Sequence, residues 1–132
     1  MNVPALTVVA PLRNEAGVAA ELATRCAAAG ERCGRPWELI FVDDASSDGT
    51  STALEGAGVP LRLIRLRTRR GQWGATRVGL AHARGEAVVV LDGDLQDPPE
   101  LIPKLVEAWD GARDAAIFAA KTRRRDPAWF RA

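Results

Sequence analysis

The chain has 132 residues, 47% of them hydrophobic, and a formal net charge of +1 at pH 7. That size supports one domain over residues 1–132 with a sizeable core, and the composition excludes a disordered chain. The near-neutral balance argues against nucleic acid as a partner.

Strand and helix patterns alternate along the chain with short links. Residues 6–10 read as a first strand, followed by an alanine-rich helix over 17–29 that Gly30 closes. A second strand is predicted over 37–42 and a helix over 50–55. Residues 61–66 alternate Leu or Ile with Arg, which predicts a third strand near a sheet edge. A helix over 72–83 closed by Gly85, a strand over 87–91, a helix over 98–109 and a fifth strand over 115–120 complete the pattern. Continuous apolar strands alternating with helices define an α/β fold, a mostly parallel sheet with helices on both faces. Ligands of such sheets bind beyond the carboxyl ends of the strands, here expected after the first, second, fourth and fifth. Trp37 and Trp109 read as core, and His82 as surface.

No stretch approaches the roughly 18 apolar residues of a membrane span, and the first residues lack a signal-peptide pattern. Cys26 and Cys33 fit no metal-ligand spacing and read as free thiols of a reducing compartment. The expected location is therefore cytoplasmic. Arginines at 62, 65, 67, 69 and 70 form one basic cluster, and Lys121 with Arg123, Arg124, Arg125 and Arg131 forms another. Both read as solvated surface.

The chemistry concentrates at strand ends. Four apolar residues, Val88 to Leu91, run into Asp92-Gly93-Asp94. Side chains alternate along a strand, so Asp92 and Asp94 point the same way and repel unless a cation or a donor-rich ligand lies between them. Gly93 leaves space for a close approach to the backbone. The next residues, Asp97-Pro98-Pro99-Glu100, read as a capping-box-like helix start with Asp97 as the cap. After the second strand comes Asp43-Asp44, with Asp44 the residue expected to meet a ligand and Asp48 expected to cap the next helix. After the first strand, Asn14 is either a helix cap or a site residue, while Glu15 has no packing role and is free to face a ligand. Lys121 supplies a cation where a phosphate needs one.

Two alternatives fail on order. A dinucleotide fold needs a glycine-rich turn after the first strand, and residues 11–17 have none. A phosphoacceptor domain needs its acidic pair after the first strand and its acceptor Asp after the third, whereas here the acids follow the second and fourth.

The segments PLRNE (11–15), ELIFVDDASSDGT (38–50), RGQWGATRVGLAHARGEAVVVLDGDLQDPPELIP (70–103) and KTRRRDPAWF (121–130) resemble the family 2 glycosyltransferases of the GT-A fold. The likeness is greatest to the polyprenyl-phosphate, or dolichol-phosphate, hexosyltransferase branch. The resemblance implies a Rossmann-like nucleotide-sugar-binding fold and inverting transfer of a hexose from a UDP- or GDP-sugar to a polyprenyl phosphate. It implies that Pro11, Arg13, Glu15, Val42 and Asp44 line the nucleoside pocket. Asp92, Gly93, Asp94 and Gln96 would hold the sugar diphosphate. Asp92, Asp94 and Gln96 would hold Mg2+ or Mn2+, with Asp92 and Asp94 carrying the catalytic role. Lys121 stands where the family has a phosphate-binding Arg, Arg13 where it has an aromatic residue, and Gly93 where Ala is common. Family members continue into an acceptor-binding segment, so the expectation is a donor-binding portion, with a non-catalytic nucleotide-sugar-binding subunit as the alternative. The basic tail with Trp129 and Phe130 is expected to be a frayed end, with contact to the anionic inner face of a membrane as the alternative.

Overall fold

The computed structural model of the protein describes residues 3–110. Its strands are β1 (Leu6–Leu12), β2 (Trp37–Asp43), β3 (Arg62–Arg65) and β4 (Ala87–Val90). They form one parallel sheet in the order β3-β2-β1-β4. The helices are α1 (Ala19–Arg32), α2 (Thr50–Glu55), α3 (Gly71–His82) and α4 (Ile102–Asp110). The predicted fifth strand lies outside the described residues.

β1 is central and buried along its whole length, which is why its sequence is apolar without alternation. Leu6, Val8, Ala10 and Leu12 face one layer, built with α1, α2 and α4. Val9 faces the other, where it packs with Ile40 and Val42 beneath Ala75 of α3. β3 lies at an edge, as its alternating pattern predicts, with Trp37 and Trp109 half-buried against the first layer. Cys26 and Cys33 are free, and burial pushes the Cys26 thiol up to about 12.

Two helix boundaries differ from expectation. α1 continues to Arg32, because Gly30 ends nothing: it lies beneath the Trp37 ring, where an added Cβ would come within 2.8 Å of the indole. The segment after β4 opens with a 3-10 turn, Pro99–Leu101, before α4, and Asp97 makes no capping bond. Glu100 does not close a capping box either. It pairs with Arg25 of α1, whose Nε donates to its carboxylate at 3.0 Å. A partner 75 residues away won over the local cap.

At the amino ends of the strands, Glu38 is buried and fully engaged. It accepts from the Thr7 hydroxyl at 2.7 Å, the Arg84 N–H at 2.8 Å and the Arg84 guanidinium at 3.0 Å, with Arg62 at 3.5 Å. Burial raises its proton affinity, but these donors outweigh burial and hold the carboxyl below its ordinary 4.5. The pinned network ties β1, β2, β3 and the residues before β4 together. A lowered folded value means that this stability is present above pH 4.5 and lost as pH falls through the folded value. Glu38→Gln should therefore cost about 2 kcal/mol at neutral pH in denaturant titrations, with the difference shrinking below that range. A variant as stable as the parent at pH 7 would contradict this.

Candidate nucleotide-sugar site

Because β1 and β2 are adjacent and parallel, the loops leaving their carboxyl ends are neighbours, and they bond to each other. The Asn14 N–H donates to Ser46 Oγ at 2.9 Å, Glu15 N–H to Thr50 Oγ1 at 2.9 Å, and Ala16 N–H to Asp48 Oδ2 at 3.2 Å. In return, the Ser47 N–H donates to Asn14 Oδ1 at 2.8 Å. Asn14 and Asp48 thus cross-link two loops. Asp48 also meets the start of α2 as expected, its Oδ1 accepting from the Thr50 N–H at 3.0 Å. The residues directly preceding α1 and α2 make no side-chain cap bond. The Thr50 hydroxyl and the N–H groups of Ala16 and Thr50 hold the Asp48 carboxyl below its ordinary range.

The acidic pair divides. Asp43 is buried and structural, accepting from Ser46 N–H at 3.0 Å and from the Ser51 hydroxyl. Asp44 reaches the cavity, with Oδ1 accepting from the Arg70 N–H at 2.7 Å. The Arg13 guanidinium donates to the carbonyls of Asp44 and Ala45 at 3.1 and 3.3 Å, so it braces the wall it helps to form.

Three non-glycine residues among those described have a left-handed backbone: Asn14, Ala45 and Leu95, at φ 54°, 56° and 63°. They fall in the loops after β1, β2 and β4. Such residues cost about 1–3 kcal/mol each and concentrate at functional sites.

A cavity of about 220 Å3 opens between these loops. Pro11, Leu12, Arg13, Glu15 and Asp44 form one wall, and Asp92, Gly93 and Asp94 the other, with Arg69 and Gln72 completing it. Gly93 lies against β1: an added Cβ would stand 2.6 Å from the Pro11 carbonyl oxygen. The missing side chain lets the Asp92–Asp94 turn close onto β1. An alanine here would require the turn to move outward.

The structure therefore gathers Pro11, Arg13, Glu15, Asp44, Asp92, Gly93 and Asp94 into one cavity. Val42 does not line it, since its side chain is buried under α3 with Val9 and Ile40. Gln96 does not line it either, and touches the site only through its N–H, which donates to Asp94 Oδ1 at 3.0 Å. Lys121 lies outside the described residues. Sequence reasoning missed Arg69 and Gln72, and the Gln72 amide donates to Asp92 Oδ1 at 2.5 Å. The helical pattern that starts at residue 72 was their signal, because it places a helix beginning at the carboxyl end of a strand.

The electrostatics favour a cation. Burial, then the charges of Asp94 and Asp48, raise the proton affinity of Glu15. No group of three or more His, Cys, Asp or Glu side chains among the described residues could hold a metal alone. Asp92 and Asp94 instead offer the one or two carboxylates with which Mg2+-like ions bind alongside phosphate oxygens.

The parallel sheet, the crossed loops and the paired aspartates after β4 define a GT-A-type nucleotide-sugar site. Residues 7–131 match the family model for glycosyl transferase family 2, and the chain belongs to that family. It is 36% identical over 135 residues to the undecaprenyl-phosphate 4-deoxy-4-formamido-L-arabinose transferase of Sodalis glossinidius, covering 99% of this chain and 41% of that protein. The chain thus spans about two fifths of the length of the curated relatives it matches. Among solved structures it resembles the mannosyltransferase PcManGT of Pyrobaculum calidifontis in complex with GDP-Man and Mn2+, at TM-score 0.68 and 30% identity over 81% of this chain and 32% of that one. Glucosyl-3-phosphoglycerate synthase of Mycobacterium tuberculosis, with Mn2+, UDP and glucosyl-3-phosphoglycerate, aligns at TM-score 0.64 and 26% identity over 79% and 39%.

A raised folded value means that ionised Glu15 is disfavoured in the folded protein above that value, and the penalty disappears as pH falls through it. Glu15→Gln should therefore raise the melting temperature of the metal-free protein at neutral pH and leave it unchanged in acid. A lowered melting temperature at neutral pH would refute this electrostatic reading.

Proposed function

We propose that the chain is the donor-binding portion of an inverting hexosyltransferase, which takes a hexose from a nucleoside-diphosphate sugar and passes it to a polyprenyl phosphate. The observation that carries this reading is the convergence of Asp44 from β2 with Asp92 and Asp94 from β4 on one cavity. Asp44 and Glu15 present carboxylates on the β1–β2 wall, suited to the hydroxyl and N–H donors of a nucleoside. Pro11 and Arg13 supply a flat wall and a guanidinium for the base, where stacking can replace the aromatic residue common in the family.

On the opposite wall, Asp92 and Asp94 would hold Mg2+ or Mn2+, with Asp94 kept in place by the Gln96 N–H. That ion would neutralise the diphosphate as the bond to the sugar breaks. Arg69 stands at the same cavity and adds positive charge for the diphosphate; Lys121 is proposed for the same task. In transfer, an acceptor oxygen attacks the anomeric carbon, the new C–O bond forms opposite the breaking one, and the nucleoside diphosphate leaves with the bonding pair. A phosphate oxygen of the acceptor is already anionic and needs no general base, which suits a cavity whose carboxylates all have other roles. The transferase names of the relatives support this acceptor class.

A second reading is a nucleotide-sugar-binding unit that turns over only with a partner chain. Both readings require donor binding. Calorimetry should show UDP or GDP binding that depends on Mn2+, and Asp94→Asn should weaken it at least about tenfold, the loss of one charged ligand bond. Metal-independent binding unchanged in that variant would overturn the proposal. Sugar transfer to a polyprenyl phosphate supports the first reading, and binding without turnover the second.

A further inference from the structure

A helix that shields a sheet normally turns its large apolar residues inward and its polar ones to water. α3 follows this rule only in part. Its buried residues are Ala75, Thr76 and Gly79, and at Gly79 an added Cβ would meet the Val9 side chain at 2.4 Å. Its two largest apolar residues point out, with Trp73 81% and Leu80 42% exposed, while Val78 packs half-buried on the sheet. Arg70, Trp73, Arg77 and Leu80 follow a 3-4-3 spacing, which puts them on one stripe about 15 Å long. The Arg70 side chain lies over Gly74, on the flank of the first turn.

The charge around this stripe is one-sided. Seven arginines and no acid occur between Glu55 and Glu86. Arg62 and Arg84 are held by Glu38, and Arg65 approaches Glu55. Arg67, Arg69, Arg70 and Arg77 are exposed and have no ion pair among the described residues. An indole at the water–lipid boundary with cations around it has the chemistry of an interfacial anchor.

We infer that the outer face of α3 docks on an anionic phospholipid surface, with Trp73 in the headgroup layer and Arg70 and Arg77 on lipid phosphates. Because Arg69 and Gln72, at the start of the same helix, line the donor cavity, docking brings the cavity mouth to headgroup level. The inference rests on α3 itself and stands whether or not the chain transfers sugar.

The test is co-sedimentation of the full chain with phosphatidylcholine vesicles, with and without phosphatidylglycerol, at low and high salt. Binding should need the anionic lipid, weaken with salt, and shift the tryptophan emission to the blue. Arg77→Gln should weaken it about fivefold. Adding Trp73→Ser should bring the loss to at least about tenfold and remove most of the blue shift, with the residues beyond 110 unchanged in every variant. Both side chains are exposed, so thermal melts and Mn2+-dependent UDP or GDP binding should match the parent, which separates this result from failure of the donor site. Undiminished vesicle binding by the double variant would overturn the inference. So would binding that ignores phosphatidylglycerol, or a polyuridylate RNA that binds the stripe more tightly than the vesicles do.

Discussion

The loops after β1 and β2 satisfy their backbone groups on each other, and the position of the site follows from that exchange. Asn14, Glu15 and Ala16 donate to side chains of the 46–50 segment, and Asn14 accepts from Ser47 in return. Each partner in this exchange lies 32–35 residues away in sequence, so the bonds join the two loops rather than stabilising either alone. The cross-links hold Asn14 and Ala45 in left-handed conformations that would relax in an isolated loop. They also fix the wall on which Glu15 and Asp44 are presented. Gly93 then sets the distance to the facing wall by letting the Asp92–Asp94 turn rest against Pro11.

The resulting cavity concentrates carboxylates, and several neighbouring groups donate to its walls. Arg13 spends its donors on the carbonyls of Asp44 and Ala45, Arg70 gives Asp44 a backbone N–H, and Gln72 gives Asp92 a neutral amide. Burial first, and then the charges of Asp94 and Asp48, raise the proton affinity of Glu15. The proposed ligand, a diphosphate with its divalent cation, would suit this cavity, the cation meeting Asp92 and Asp94 and the diphosphate meeting Arg69.

Much of this was legible in the sequence because the strands are unusually apolar. Residues such as Val8, Val9, Ile40 and Val42 can only be buried, and parallel pairing follows from helices between them. Asp92 and Asp94 stand out because two charges end an apolar run, although among the described residues β4 itself is only partly covered, with Val88 and Val90 exposed. What the sequence could not show was set by distant partners. Asp97 and Glu100 look like a capping box until Arg25 takes the glutamate. Arg69 and Gln72 follow an edge strand, where no acidic pair marks a site. They reach the cavity because α3 crosses back over β2 and β1 on its way to β4, bringing its first turn beside the loop that holds Asp92. Val42 was assigned by resemblance, and its side chain belongs to the core under that same helix.

The central claim is that the cavity between the β1, β2 and β4 loops is a metal–diphosphate site. Its most direct test is a crystal of the protein grown with Mn2+ and a nucleoside diphosphate, examined at a wavelength where manganese scatters anomalously. The account predicts a single strong peak bonded to the Asp94 carboxylate and to diphosphate oxygens, with the nucleoside against Asp44 and Pro11. A nucleotide bound elsewhere, or one bound in this cavity with no metal at Asp92 or Asp94, would contradict it.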